Sequence, residues 1–343
     1  MNDVLRLRNV TIGLRHGRSE RVLIEGLDLA VPPNRIVGLV GESGSGKSVT
    51  ASAAMNLLPA PLHVLSGEVL FKGENLLNMT DRELRALRGR EMSMIFQEPS
   101  RALNPLLTVG EQIGELFAAH GGLSRRERRE RAIELLRSVG IRDPRSRYRE
   151  YPHEFSGGMQ QRILIAMAVA LRPSLIVADE PTTALDATVQ VRILELLKRL
   201  QEETGASILL ITHDLRVVAS LCDEVCVMYA GELVERADVF TLFENPQHPY
   251  TRGLMESVPR ADVFRGLPRC MKGQAPERFY ELDGCRFAPR CPRSRPICLR
   301  EKPAFQWKND HGENGCRVRC FFPIDTPDGR EVEIGRASCR ERV

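Results

Sequence analysis

The sequence has no long apolar run. A helix that crosses a bilayer needs about 18 or more consecutive apolar residues. The longest candidates, Leu164 to Leu171 and Ile208 to Ile211, fall far short. Any membrane role is therefore expected to run through a partner. A secretory leader is missing as well: Met1-Asn2-Asp3-Val4 is not a basic stretch followed by an apolar one, so the expected compartment is the cytosol. Strong charge of either sign is absent. Against 45 Asp and Glu stand 49 Lys and Arg, a formal +4, too little to point to nucleic acid. No internal repeat of about 20–50 residues is visible. What remains is an ordinary globular composition, 42% hydrophobic and 27% charged over 343 residues, which excludes a disordered or collagen-like chain. The length corresponds to about two domains.

Cysteine is scarce until late. Cys222 and Cys226 lie in an otherwise globular region, and the other seven, Cys270, Cys285, Cys291, Cys298, Cys316, Cys320 and Cys339, follow. In a cytosolic chain such clustering points to metal before disulfides. Up to about residue 235, short apolar strands alternate with amphipathic helices, an α/β pattern. Strands are expected at Arg35 to Val40, Glu68 to Phe71, Met92 to Phe96, Leu175 to Ala178, Ile208 to Ile211 and Glu224 to Tyr229. Helices are expected at Lys47 to Leu58, Ser124 to Ser138, Gly158 to Leu171 and Ala187 to Glu203. The charged stretch Ser124 to Arg131 is read as a solvated helix face. From about Phe240, Pro, Arg and Cys rise and the periodicity fades. We expect a first domain over 1–238, with a helical subdomain at about 98–172, and a smaller Cys-rich domain over 239–325. Residues 326–343 lack an apolar period and are set aside as a disordered or expression-derived tail.

Gly41-Glu42-Ser43-Gly44-Ser45-Gly46-Lys47-Ser48 fits G-x-x-x-x-G-K-[ST] between a strand and a helix, the context this phosphate-binding loop requires. Glycines let the backbone curl with its N–H groups inward, and the helix start adds positive potential. Gly41, Ser43, Gly44, Gly46, Lys47, Ser48 and Val49 are the nucleotide candidates. Lys47 suits the β and γ phosphates, and the Ser48 hydroxyl suits Mg²⁺. The glycine spacing is wrong for a dinucleotide fold. Leu175 to Glu180 is a buried strand that ends in two acids. Asp179 suits Mg²⁺, and Glu180 is placed to polarise an attacking water. His213, just after the strand Ile208 to Ile211, is the second catalytic candidate, orienting that water at the γ-phosphate. Gln97, at the end of Met92 to Phe96, is a further candidate for Mg²⁺ and nucleotide.

Phe155-Ser156-Gly157-Gly158-Met159-Gln160-Gln161-Arg162 resembles the signature motif of ABC transporter ATPases, and the order of motifs matches that family from the glycine loop through Gln97, Ser156, Asp179 and Ala184-Leu185-Asp186 to His213. The resemblance covers residues 1 to about 325. It implies a P-loop NTPase cassette in which Ser156, Gly157, Gly158, Gln160 and Asp186 serve the ATP held by an opposing subunit in a head-to-tail dimer. Gln97 to Pro105 (QEPSRALNP), Tyr151 to Glu154 and Pro181 to Gln190 (PTTALDATVQ) look like the dipeptide, oligopeptide and nickel importer ATPases, and Asn245 to Thr251 resembles their C-terminal hallmark. That likeness implies ATP hydrolysis powering peptide import. It also implies two transmembrane permease subunits, a second ATPase subunit of the same or a related kind, an extracytoplasmic substrate-binding protein, and a peripheral place on the cytoplasmic face of the membrane. Nickel-complex or glutathione import and a soluble regulated ATPase are the alternatives.

Two departures stand out. The family often stacks an aromatic ring on adenine upstream of the glycine loop. Here Thr11 to Asn34 has no Phe, Tyr or Trp, and the equivalent stretch is near Arg21-Val22. Phe155 replaces the commoner Leu. By resemblance again, Cys285, Cys291, Cys298 and Cys320 are candidate ligands of a 4Fe–4S cluster, although their spacing is not the ferredoxin one and lacks a zinc knuckle. Cys316 is a rival fourth ligand. Arg286, Arg290, Arg293, Arg295 and Arg300 crowd this motif and are read as solvating its loop rather than balancing thiolate charge.

Overall fold

The structure is a computed structural model. It describes residues 3–16, 19–183, 185–257, 271, 273–276, 278–307 and 315–324. The expected tail at 326–343, Cys270, Cys339 and Ala184 lie outside the described residues. Among the described residues twelve strands occur in chain order: β1 Leu5–His16, β2 Ser19–Val31, β3 Ile36–Val40, β4 Leu62–Phe71, β5 Glu74–Asn75, β6 Met92–Ile95, β7 Leu175–Asp179, β8 Ser207–Thr212, β9 Glu224–Tyr229, β10 Glu232–Asp238, β11 Gln306–Trp307 and β12 Arg317–Val318. They form two sheets. One runs β2-β1-β4-β5, all antiparallel, and the other β11-β12-β10-β9-β3-β8-β7-β6. In the second sheet β9, β3, β8, β7 and β6 pair in parallel, while β10, β12 and β11 add antiparallel strands at one edge.

The alternation along β3 shows how the sheet is buried on both faces. Val37 and Leu39 join one apolar cluster, with β1, β2 and the helix after the glycine loop. Ile36 and Val40 join the other, with the long helices. A period-2 strand that is apolar at every position has to be covered on both sides. The helices are α1 Lys47–Ala54, α2 Asp81–Leu87, α3 Pro99–Ala102, α4 Val109–His120, α5 Arg125–Ser138, α6 Pro144–Arg147, α7 Gly157–Val169, α8 Ala187–Thr204, α9 Leu215–Leu221, α10 Val239–Glu244, α11 Pro249–Glu256 and α12 Pro296–Arg300. Helices α3 to α7 fill the gap between β6 and β7, where a helical insert was expected. Helix α1 stops at Ala54 instead of Leu58, because Asn56 takes a left-handed turn (φ 50°). Helix α5 is started by a Ser124–Glu127 capping box, and its charged first turns are largely exposed.

Of the antiparallel sheet the sequence showed only Glu68 to Phe71, the end of β4, while β1, β2 and β5 went unread. β1 alternates as Leu5, Leu7, then Val10 and Ile12, with the register shifted between Leu7 and Val10. Asn9 sits there at φ 48°, and such a bulge breaks the period-2 pattern that marks a strand. Among the described residues, no helix is long and apolar enough to cross a membrane.

Candidate functional site

Parallel strands deliver their C-terminal ends to one edge of a sheet, and the loops that leave that edge form a crevice. Here β3 leads into Gly41 to Ser48, β6 into Gln97, β7 ends at Asp179 before Glu180, and β8 leads into His213. The glycine loop turns tightly. Gly44 and Gly46 have φ of 78° and 104°, and a Cβ at Gly41 would run into the Met228 carbonyl of β9. Only glycine allows that approach.

The charged groups converge on this edge. Lys47 donates from Nζ to the Gly41 and Glu42 carbonyls at 2.8 and 2.9 Å. Burial lowers its pKa against the pull of Glu180 and Asp179. Ser48 Oγ donates to Asp179 Oδ1 at 3.2 Å. Asp179 is nearly fully buried, and burial raises its pKa. Glu180 is the hub: Gln97 Nε2 (2.9 Å) and Thr183 Oγ1 (2.7 Å) donate to Oε2, and His213 Nδ1 lies 3.1 Å from Oε1. Burial works to raise the Glu180 pKa, but the bonds from Thr183 and His213 and the nearby positive charge outweigh it, so the carboxylate is held below its usual range. Its backbone is in the left-handed region at φ 46°. A non-glycine residue there is held against a cost of order 1–3 kcal/mol, as is common at functional sites.

Glycine loop, Gln97, Asp179, Glu180 and His213 are therefore brought together. Gln97 contacts Glu180, not the Ser48–Asp179 pair to which Mg²⁺ was assigned. Val49 is half-buried and packs on the apolar cluster under the antiparallel sheet. Ser43 is exposed. The contacts of the signature residues are local ones. Ser156 begins α7 and is exposed with Gly157; Gln160 donates to the Pro152 and Phe155 carbonyls; a Cβ on Gly158 would meet Val189 at 2.6 Å. Asp186 accepts the Val189 N–H and caps α8. Phe155 is buried under the Arg147 guanidinium.

Cys285, Cys291, Cys298 and Cys320 line one cavity together with Phe287, Phe321 and Phe322. Cys316 does not line it; its Sγ rests 3.6 Å from Glu235 Oε1. Burial pushes the Cys285 and Cys320 thiols up to about 11 and raises Cys291. Among the described residues, no group of three or more His, Cys, Asp or Glu stands in metal-holding geometry, so the donors gather as expected but do not close around an ion. The reading of the arginines needs correction at two of the five. Arg286 is 2% exposed and pairs with Glu25 and Glu232, and Arg290 pairs with Glu42; these two are structural contacts, because buried guanidinium groups must be paired. Arg293, Arg295 and Arg300 are exposed, and Arg295 lies 3.9 Å over the Phe322 ring. Arg21, at the ring-less position upstream of the glycine loop, lies over the Tyr280 ring at 5.4 Å. The roles of Thr183, Arg290 and Tyr280 escaped the sequence reading: Thr183 lies three residues from Glu180 in a stretch read only for its family likeness, while Arg290 and Tyr280 meet partners far away in the chain.

Two family models match parts of the chain. A family model described as "ABC transporter" matches residues 24–183, and one described as "Oligopeptide/dipeptide transporter, C-terminal region" matches residues 234–298. The dipeptide transport ATP-binding protein of Bacillus subtilis is 44% identical over 317 residues, 92% of this chain and 95% of that protein. A probable peptide ABC transporter ATP-binding protein of Sinorhizobium fredii is 50% identical over 283 residues, 81% and 84% of the two chains. Among solved structures, an ATP-binding cassette dimer bound to ADP and Pi superposes with a TM-score of 0.62 at 31% identity, covering 68% of this chain and 98% of that one.

Proposed function

The chain belongs to the ABC transporter ATPases of the dipeptide and oligopeptide group, and from that premise we propose that it hydrolyses ATP to power the import of short peptides. The observation that carries this reading is the convergence of Lys47, Ser48, Asp179, Gln97 and His213 around Glu180 at one sheet edge. In the proposed reaction the N–H groups of Gly41 to Ser48 cradle the phosphates, and Lys47 leaves the Gly41 and Glu42 carbonyls to pair with them. Ser48 and Asp179 present an all-oxygen set that suits Mg²⁺, whose chemistry is to neutralise charge on the phosphate oxygens. Glu180, kept ionised by Thr183 and His213, accepts hydrogen bonding from the attacking water. His213 orients that water, and Gln97 reports the state of Glu180 to the segment that follows. Adenine is proposed to rest by Arg21, with the Tyr280 ring behind it.

Ser156, Gly157, Gly158, Gln160 and Asp186 are assigned to ATP on an opposing subunit, with Ser156, Gly157 and Asp186 exposed. That partner is a second copy or a related ATPase. Leu106 is 83% exposed just beyond Gln97, and we assign this surface to docking on two transmembrane permeases. A peripheral place on the cytoplasmic face and an external substrate-binding protein complete the proposal, with residues 1–238 as the nucleotide unit and 239–325 as an appended unit. For the cavity we propose a thiolate-bound 4Fe–4S cluster on one support, the four cysteines that line it. Their described geometry does not hold a metal, so no step of hydrolysis runs through it. Iron and sulfide counts on anaerobically purified protein decide: about four irons, lost in Cys291→Ser, support the cluster, and metal-free protein with full ATPase activity overturns it. The ATPase itself is tested by sizing Glu180→Gln with MgATP. Arrested hydrolysis should trap a dimer that adding Ser156→Arg abolishes; a monomer at saturating ATP would contradict the sandwich.

A further inference from the structure

Glu42 is the second residue of the glycine loop, and its contacts come from far along the chain. Arg290 grips its carboxylate with two N–H···O bonds of 2.8 and 3.1 Å and donates at 3.3 Å to the Tyr229 hydroxyl. Its side chain is only 7% exposed, so this two-pronged pair is largely out of water, where charge-assisted bonds are strong and removing one partner is costly. The backbone N–H of Glu42 donates to the Tyr250 hydroxyl at 2.8 Å. Phe287 stands edge-on to both phenol rings, 5.1 Å from Tyr229 and 5.5 Å from Tyr250. Arg290 and Phe287 lie between Cys285 and Cys291, and Cys285, Phe287 and Cys291 all line the thiol cavity. One short loop thus faces the cavity on one side and the start of the glycine loop on the other.

We propose that Arg290 is a positioning residue for the phosphate site: through Glu42 it fixes the start of the glycine loop, and so ties nucleotide affinity to the state of the four-thiol cavity beside it. The inference rests on the ATPase reading above. Lys47 hydrogen-bonds the Glu42 carbonyl, so a shift of Glu42 reaches the phosphate-binding lysine directly.

The test is MgATP affinity of the purified full chain, measured by displacement of a fluorescent nucleotide beside a thermal melt. Arg290→Gln should weaken ATP binding about tenfold, the scale of a lost charge-assisted bond pair. Arg290→Lys should fall between it and wild type. Glu42→Gln should match Arg290→Gln, with the double variant no worse than either single one. A merely structural role would lower the melting temperature and leave affinity unchanged, which overturns the proposal; if Arg290→Gln does not fold, Glu42→Gln carries the same test from the loop side. Cd²⁺ alone, as a thiol-seeking probe, should shift ATP affinity severalfold in wild type but not in Cys285→Ser/Cys291→Ser or in Arg290→Gln. An unmoved wild type overturns the link to the cavity. Wild type that binds no ATP would instead overturn the ATPase reading.

Discussion

The phosphate site stands on strand ends, and the thiol cavity stands on loops. Asp179, Glu180 and His213 leave adjacent parallel strands whose spacing the backbone ladder sets, so the Glu180 and His213 side chains meet at hydrogen-bond distance. The four cysteines come from segments tied by one five-residue helix, short turns and the edge pairing of β12 with β10. They reach a common cavity but not ligand geometry. The contrast teaches that adjacent strand ends fix a charged constellation through the backbone ladder, whereas loops bring the four thiols to one cavity without setting them in ligand geometry. It also sorts the polar groups. At the sheet edge Glu180 is kept charged by its partners, while burial pushes Asp179 and the cavity thiols toward their protonated forms.

The largest effect expected is at Glu180. Glu180→Gln should lower the ATP turnover number by about 10²–10⁴-fold while equilibrium MgATP binding is retained; loss of binding as well would mean that Glu180 only holds the site together. Next comes Phe287→Ala, which removes the ring packed on Tyr229, Tyr250 and His248. Urea unfolding should show a loss of about 3–5 kcal/mol. Because β12 extends the sheet that carries the phosphate site, we expect one transition. Two separated transitions would break the comparison by making the regions independent.

Lys47→Ala should then weaken MgATP binding roughly 10–100-fold, the scale of a bond to a charged group, with no change in the thiol count accessible to a sulfhydryl reagent. The smallest effect is a pH slope in the loop-built region. Burial drives the His248 pKa down to about 3 from 6.5. The unfolded chain therefore takes up a proton that the folded chain refuses. Stability from this residue is complete above about pH 6.5 and declines as pH falls toward about 3, by up to ~1.4 kcal/mol per pH unit. Neighbouring Glu235, raised by burial, works with the opposite sign: its contribution declines as pH rises above the ordinary carboxylate range. The difference in urea midpoints between wild type and His248→Asn across pH 4 to 7 isolates the histidine, and a flat difference would contradict its burial as a neutral ring.

The two regions were also unequally legible. Glycine loop, acid pair and switch histidine each occupy a few contiguous residues at a strand end, so the sequence carries them whole. Arg290 and Glu42 are 248 positions apart, and Tyr280 reaches Arg21 from a segment without periodicity. Nothing local to either partner encodes such a pair. Cys320 and Cys316 were inseparable by spacing; the structure distinguishes them, because the β12 backbone puts Cys320 at the cavity and turns Cys316 onto buried Glu235. The bulge at Asn9 hid β1, since a single inserted residue cancels the alternation on which strand recognition depends, and of the antiparallel sheet only the end of β4 was legible.

Uptake of a labelled dipeptide by cells that lack this chain tests the central claim most directly. Uptake should fall on deletion, return with the wild-type gene and fail to return with Glu180→Gln. Unchanged uptake on deletion, or rescue by the Glu180→Gln chain, would contradict a role in powering peptide import by ATP hydrolysis.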